Sequence, residues 1–269
     1  MSTYLCCHNL KNRDMTIFYF TATGNCLEIV KKIGGKGVSI PAILKGNQFN
    51  FEDDIIGIVI PNHHADIPVP VKEFLEKVQL KANYFFGIVT YGETNANANE
   101  KLFNMGKQHG ISFDYINSIK MVDSSFVYWD IKKQIETLPK KKVDEHLTII
   151  RNEINQRLKR IYGINFMSRS IGFMVSIVPH ETKHNERFYI EEDKCISCGI
   201  CLKVCPIDNI TMKDYPVIHD KCIRCGACTH NCPQNAIRYL GEKSSDRFRN
   251  QNVKLLEIIN ANDLVYCES

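Results

Sequence analysis

The amino-acid sequence predicts an α/β fold: a doubly wound, five-stranded parallel sheet over residues 14–128, followed by a small α+β domain over residues 188–240. Three observations carry this expectation. Strand and helix signals alternate along residues 16–125, the pattern of a sheet covered by helices on both faces. Ile55–Ile60 and Tyr84–Thr90 are nearly continuous apolar runs, as strands buried on both sides require. Eight of the twelve cysteines fall between Cys195 and Cys232, so a cysteine-poor body precedes a metal-binding end.

The elements follow in order. Thr16–Phe20 is a β-branched and aromatic strand, and a Thr/Gly/Asn turn leads from it into a helix with Leu27, Val30 and Ile33 on one face. Val38–Ile40 is a short strand. Ile55–Ile60 ends at Pro61. Val71–Leu80 reads as a helix through Val71, Phe74, Leu75 and Val78. After Tyr84–Thr90, Asn95–His109 reads as a helix closed by Gly110, and Phe113–Val122 is the fifth strand. Residues 129–187 read as a helical linker region broken at Pro139, and its apolar part, 163–187, as a helix packed between domains. Residues 241–269 read as a helical tail, with Val253, Leu255, Leu256, Ile258 and Ile259 packing across one of the domains.

Composition narrows the classes. The 269 residues are 44% hydrophobic and 24% charged, enough to bury a sizeable core. A net charge of +4 argues against nucleic acid as a partner. No apolar run reaches the roughly 18 residues of a transmembrane segment, and residues 1–13 lack a signal-type apolar stretch. The sequence therefore reads as cytoplasmic. In that reducing compartment clustered cysteines are metal ligands rather than disulfides.

Asp193–Ile210 and Asp220–Ile237 are an internal duplication. Each carries C-x2-C-x2-C-x3-C-P, and the second copy lies 27 residues after the first, from Cys195 to Cys222. The match includes the leading Asp-Lys, the Ile after the first Cys, the Gly after the second and the final Ile. This is the cysteine run of bacterial-type iron–sulfur proteins, in which the fourth Cys ligates the other cluster. Cys195, Cys198, Cys201 and Cys232 are thus expected to hold one [4Fe-4S] cluster, and Cys222, Cys225, Cys228 and Cys205 a second. Gly199 and Gly226 let backbone approach inorganic sulfide. The competing reading is zinc, but a third Cys two residues on, followed by Cys-Pro, has no role in one tetrahedral site. Tyr189–Leu240 resembles two-cluster bacterial ferredoxins, which implies a low-potential one-electron carrier.

The turn Thr21-Ala22-Thr23-Gly24-Asn25-Cys26 offers backbone N–H groups at a helix start, a phosphate-binding arrangement, and its Thr hydroxyls add donors. It is similar to the FMN phosphate loop of flavodoxins, T-x-T-G-x-T, with Cys26 where Thr is usual. The competing reading is a plain strand–turn–helix connection. In a doubly wound sheet ligands sit beyond the carboxyl ends of the strands, which adds two loops. Pro61, Asn62 and His63 belong to the first; Tyr91, Gly92 and Asn95 belong to the second. The resemblance implies that they contact the flavin ring, with Tyr91 stacking and Gly92 giving amide access. Phe20–Asn25 (FTATGN) and Lys120–Asp123 (KMVD) are similar to the flavodoxin-domain ferredoxin fusion family of iron–sulfur flavoproteins. The resemblance implies an FMN-containing domain feeding two clusters.

Other features have plainer readings. His63–His64 lacks a third metal ligand. Glu93 reads as a solvated loop residue, Tyr128 and Trp129 as packing residues, and Cys6, Cys7 and Cys267 as ordinary thiols. Three functions remain open. The chain is an electron-transfer flavoprotein exchanging electrons with a redox partner protein or small-molecule donor or acceptor. Alternatively it is an FMN-dependent reductase of a small substrate, or a ferredoxin with a flavin-free docking domain.

Overall fold

In the computed structural model the described residues are 14–163 and 185–263. The expectations for the segment within 164–184 and for Cys6, Cys7 and Cys267 lie outside them. The sheet is built from β1 (Met15–Tyr19), β2 (Lys36–Ser39), β4 (Ile55–Pro61), β6 (Tyr84–Tyr91), β7 (Tyr115–Lys120) and β8 (Arg160–Ile161), in the order β2-β1-β4-β6-β7-β8 with every neighbour parallel. Two short strands, β3 (Asn50–Glu52) and β5 (Gln79–Lys81), pair with each other as a separate ribbon. Without them the five principal strands run 2-1-3-4-5, the flavodoxin-like doubly wound order.

Period-two alternation explains the two covered faces. Met15, Ile17 and Tyr19 of β1 point to one core, where α1 (Asn25–Ile33) packs through Leu27, Val30 and Ile33. Phe18 and the following Phe20 point to the other. There α2 (Ile40–Lys45), α3 (Val69–Lys77) and α4 (Ala98–Gln108) cover the sheet with Ile43, Phe74 and Leu102.

Residues 131–161 differ from the linker expectation. After α5 (Ile131–Glu136) and a 3-10 turn at Leu138–Lys141, α6 (Val143–Asn155) joins α1 on the first face. Leu147, Ile150 and Ile154 lie at helical spacing and are buried there, and β8 extends the sheet by two residues beyond the five expected strands. The break at Pro139 is real, but the helix beyond it is a layer of this domain.

The cysteine-rich domain pairs β9 (Phe188–Ile190) with β12 (Ile237–Tyr239) and β10 (Ile210–Met212) with β11 (Pro216–Ile218), both antiparallel. Its two short helices are α7 (Ile200–Lys203) and α8 (Ala227–Asn231). The duplication is visible in the backbone. Left-handed φ values recur at Ser197 and Arg224 (49° and 52°), at Gly199 and Gly226 (71° and 74°), and at Asp208 and Asn235 (50° and 51°).

Helix α8 locks the two domains together. All five of its residues are buried. Asn231 Nδ2 donates to Ala22 O (3.2 Å), and His230 Nε2 donates to Ser124 O (2.7 Å) while His230 Nδ1 accepts from Phe248 N–H (3.0 Å). Burial holds this imidazole neutral, lowering its pKa to about 4. The tail runs back over the α/β domain. Thr23 O accepts from Asn250 N–H (2.8 Å), Glu28 is held by Lys32, Asn250 and Asn252, and Ser39 donates to Ala261 O. It then reaches the cysteine domain, where Asn262 Nδ2 donates to Val204 O (3.2 Å). Its helix, α9 (Leu255–Asn260), is shorter than the helical tail expected; most of the described tail is turns and irregular chain.

Two outcomes follow from this packing. A Cβ at Gly57 would fall 2.1 Å from the Phe86 ring, so Gly57→Ala lowers the urea midpoint, by an overpacking cost of about 1–3 kcal/mol. His230→Ala leaves the Phe248 N–H without its acceptor, at about 1–3 kcal/mol for a buried unsatisfied group, while the Ser124 carbonyl keeps the Phe126 N–H at 3.0 Å. Thermal melts of the full chain read this loss, and His230→Gln, which retains an N–H and an acceptor, recovers part of it.

Candidate functional site: a cavity at the sheet edge, closed by a cysteine loop

The chain leaves β1 toward β2 on one side and returns to β4 on the other, so a crevice opens at the carboxyl ends of β1 and β4. A cavity of about 610 Å³ lies there, within the usual size of a small-molecule site. Of the residues expected at the site, Thr21, Ala22, Thr23, Asn25, Cys26, Pro61, Asn62, His63, Tyr91 and Gly92 line it.

The Thr21–Cys26 loop is braced from within. Gly24 sits at φ 98°, and its N–H donates to Thr21 Oγ1 (3.1 Å). A Cβ at Gly24 would lie 3.0 Å from Asn250 and Val253, so the tail straps the turn from outside and Gly24 is not itself a lining residue. The first intrahelical hydrogen bond is Glu28 N–H to Gly24 O, and the N–H groups of Asn25, Cys26 and Leu27 stand ahead of it at the positive helix end. The Cys26 thiol adds no donor to this end. Its Sγ lies 3.3 Å from Thr90 Oγ1 at the floor, and burial pushes the thiol up to about 12. Asn95 does not line the cavity either. It braces the rim: Asn62 Nδ2 donates to the Asn95 and Thr94 carbonyls, and Asn95 Nδ2 donates to Asn99.

A third wall, Val122–Trp129, follows β7 and was not among the expected contacts. Its one signal in sequence was the KMVD stretch. Tyr128 and Trp129 were read as packing residues, yet they line the cavity while 57% and 40% exposed, so they form its mouth. Glu93 is an exposed loop residue, as expected, and its carboxylate is paired. Gln134 and Lys120 donate to its carboxylate and hold its pKa below the usual range. Asp123 receives the N–H groups of Glu93 and Ser125, and burial raises its pKa. Behind them the ammonium of Lys141 is buried, donating to Met121 O and Gln134 Oε1, and desolvation lowers its pKa. Gly92 is needed where β6 ends, since a Cβ there would fall 2.1 Å from Asp123.

The cavity's last wall comes from the other domain: Arg224 and Cys225 of the second cysteine loop line it. The Arg224 guanidinium lies along the His64 ring, with Nε 3.3 Å from Nε2 and Nη2 3.1 Å from Nδ1. A cation in that position argues against a metal at His63–His64.

The cysteines of the repeat gather in space. Cys195, Cys198, Cys201 and Cys232 line one small cavity. Burial raises the Cys222, Cys225 and Cys228 thiols, and the proximity of Cys205 raises them further. Backbone amides already point at sulfur. Asn209 N–H donates to Cys205 Sγ and Ala236 N–H to Cys232 Sγ, each at 3.3 Å and at matching places in the two copies. Among the described residues no three Cys, His, Asp or Glu side chains converge on a single-ion site.

Comparison with known proteins agrees on the second domain. A family model described as a 4Fe-4S dicluster domain matches residues 194–237. No curated protein matches the chain in sequence. Among solved structures, the chain is similar to the rubredoxin oxygen:oxidoreductase of the anaerobe Desulfovibrio gigas, at 12% identity over 50% of this chain and with a TM-score of 0.32. It spans 36% of that protein's length. It is also similar to the Trp repressor binding protein of Bacillus subtilis, at 11% identity over 54% of this chain and 99% of that one, with a TM-score of 0.33. No helix among the described residues is long and apolar enough to cross a membrane. By its strand order and by the match over residues 194–237, the chain joins an N-terminal flavodoxin-like domain to a C-terminal 4Fe-4S dicluster domain.

Proposed function

We propose that this chain is an electron-transfer iron–sulfur flavoprotein that passes electrons between FMN and two [4Fe-4S] clusters. The observation that carries the reading is the composition of one cavity. Its walls include a phosphate-type loop at one end, aromatic side chains at its mouth, and Cys225 of the cysteine repeat. The residues suit FMN. The N-terminal amides of α1 and the hydroxyls of Thr21 and Thr23 would hold the phosphate without a basic residue. Tyr91 and Trp129 would flank the ring, and the buried Oδ1 of Asn62, without a partner among the described residues, would accept a ring N–H. Cys195, Cys198, Cys201 and Cys232 would ligate one cluster, and Cys205, Cys222, Cys225 and Cys228 the other.

Bound there, FMN supplies two-electron chemistry that can be divided into single-electron steps, and each cluster carries one electron. The chain's own contribution is placement and electrostatics. The tail strap over Gly24 fixes the loop, α8 holds the cysteine domain against it, and the Glu93–Gln134–Lys141 network sets the charge beneath the cavity. An external redox protein or small molecule would supply or take the electrons.

Trp129 is the chain's single tryptophan and lines the cavity, so FMN titrated into flavin-free protein quenches its fluorescence saturably. Thr21→Ala together with Thr23→Ala weakens that binding severalfold. Protein prepared without oxygen holds about eight iron and eight sulfide per chain, from two cubane clusters. Unquenched Trp129 with no bound flavin would remove FMN from the reading, and zinc in place of iron would overturn the clusters.

A further inference from the structure

The two cysteine loops are copies in sequence and backbone, yet their surroundings are opposite. In the second loop Ile223 packs against the sheet core, Arg224 lies on His64, and Cys225 forms part of the cavity wall. A Cβ at Gly226 would meet the Phe126 ring at 2.9 Å. In the first loop the matching Ile196 is 61% exposed, Ser197 bonds only within its own domain to Asp214 O, and Cys198 is exposed. A Cβ at Gly199 would meet nothing within 4 Å. The helices diverge likewise: α8 is wholly buried, whereas α7 buries only Cys201.

Resting on the function proposed above, we infer that the duplication has been divided into two jobs. The Cys222–Cys228 loop, with Cys205, is the flavin-side port. The Cys195–Cys201 loop, with Cys232, is the solvent-side port, where an external one-electron carrier exchanges electrons next to Cys198 and Ile196. The balance is simple. A reduced carrier loses one electron at the solvent-side port in each encounter. Two such electrons, relayed through the second loop with protons from solvent, complete a two-electron reduction in the cavity. The reverse flow oxidises it. On the cavity side, α8, Phe126 and the Arg224–His64 contact pack against the second loop, whereas no such contact covers Gly199 of the first.

Full-length Cys198→Ala and Cys225→Ala proteins test this, each reconstituted without oxygen and carrying the one cluster it can still ligate, as iron counts verify. A dysprosium chelate is added as a bulky paramagnetic probe from solvent, and the EPR relaxation of the reduced cluster is read. The expected result is a severalfold faster relaxation in Cys225→Ala and little change in Cys198→Ala. Added FMN then shifts the cluster line shape in Cys198→Ala and leaves that of Cys225→Ala unchanged. Equal or reversed responses to chelate would overturn the assignment, as would an FMN shift confined to Cys225→Ala. If an alanine variant keeps no cluster, the Cys→Ser forms, which retain an oxygen ligand, are read in the same way. If no flavin binds, the proposed function fails, and the chelate comparison alone still decides which loop faces solvent.

Discussion

The arrangement depends on the burial of α8 between the phosphate-type loop and the loop after β7. This five-residue helix begins inside the second cysteine loop and ends at Cys232. It therefore ties the geometry of both cysteine sets to the α/β domain. Burying it is costly unless every polar group finds a partner, and the partners come from three directions: Ala22 O, Ser124 O and Phe248 N–H. The neutral imidazole of His230 suits this place because it donates on one nitrogen and accepts on the other. A charged imidazole there would bring a desolvation cost larger than its hydrogen bond to Ser124 offsets, and the cation Arg247 adds to it.

The same constraint explains how the duplication diverged. The cysteines, the left-handed residues and the glycines recur in both copies, and the matching φ values show a shared backbone. The residues facing outward from each loop are the ones that differ. Where the second copy meets the α/β domain, those positions are Arg224 and the buried Thr229, His230 and Asn231. In the first copy the corresponding positions are Ser197 and the run Leu202, Lys203 and Val204, of which Lys203 is exposed. Chemistry is thus held constant across the repeat while packing sets the difference between the halves.

Much of this was legible in sequence because local patterns carried it. The apolar runs Ile55–Ile60 and Tyr84–Thr90, the helical stripes and the cysteine spacing each report on neighbours along the chain. The residues that went unread owe their roles to distant ones. The helical reading beyond Pro139 did not say that Leu147, Ile150 and Ile154 would cover a face of the sheet. Tyr128 and Trp129 became the mouth of a cavity only because β7 ends beside β6. Asn95 sits in the right loop but turns to brace Asn62, a choice settled by Asn99 four residues on. Cys26 looked like a missing hydroxyl until Thr90, sixty-four positions away, was seen to meet its thiol. Arg224 and Cys225 read as cluster-loop residues, and nothing local says that they also close a cavity on another domain.

That closure gives the cavity an electrostatic gradient that neither domain has alone. On the side of the loop after β6, Glu93 and Asp123 present carboxyl groups whose charge is moderated by Lys120, Gln134 and the buried Lys141. The guanidinium of Arg224, brought in with the second cysteine loop, is a cationic lining group beside His64. The carboxyl side disfavours added negative charge and the guanidinium side favours it. Arg224 and α8 are continuous in the chain, so the contact that holds the two domains together also brings that guanidinium to the cavity.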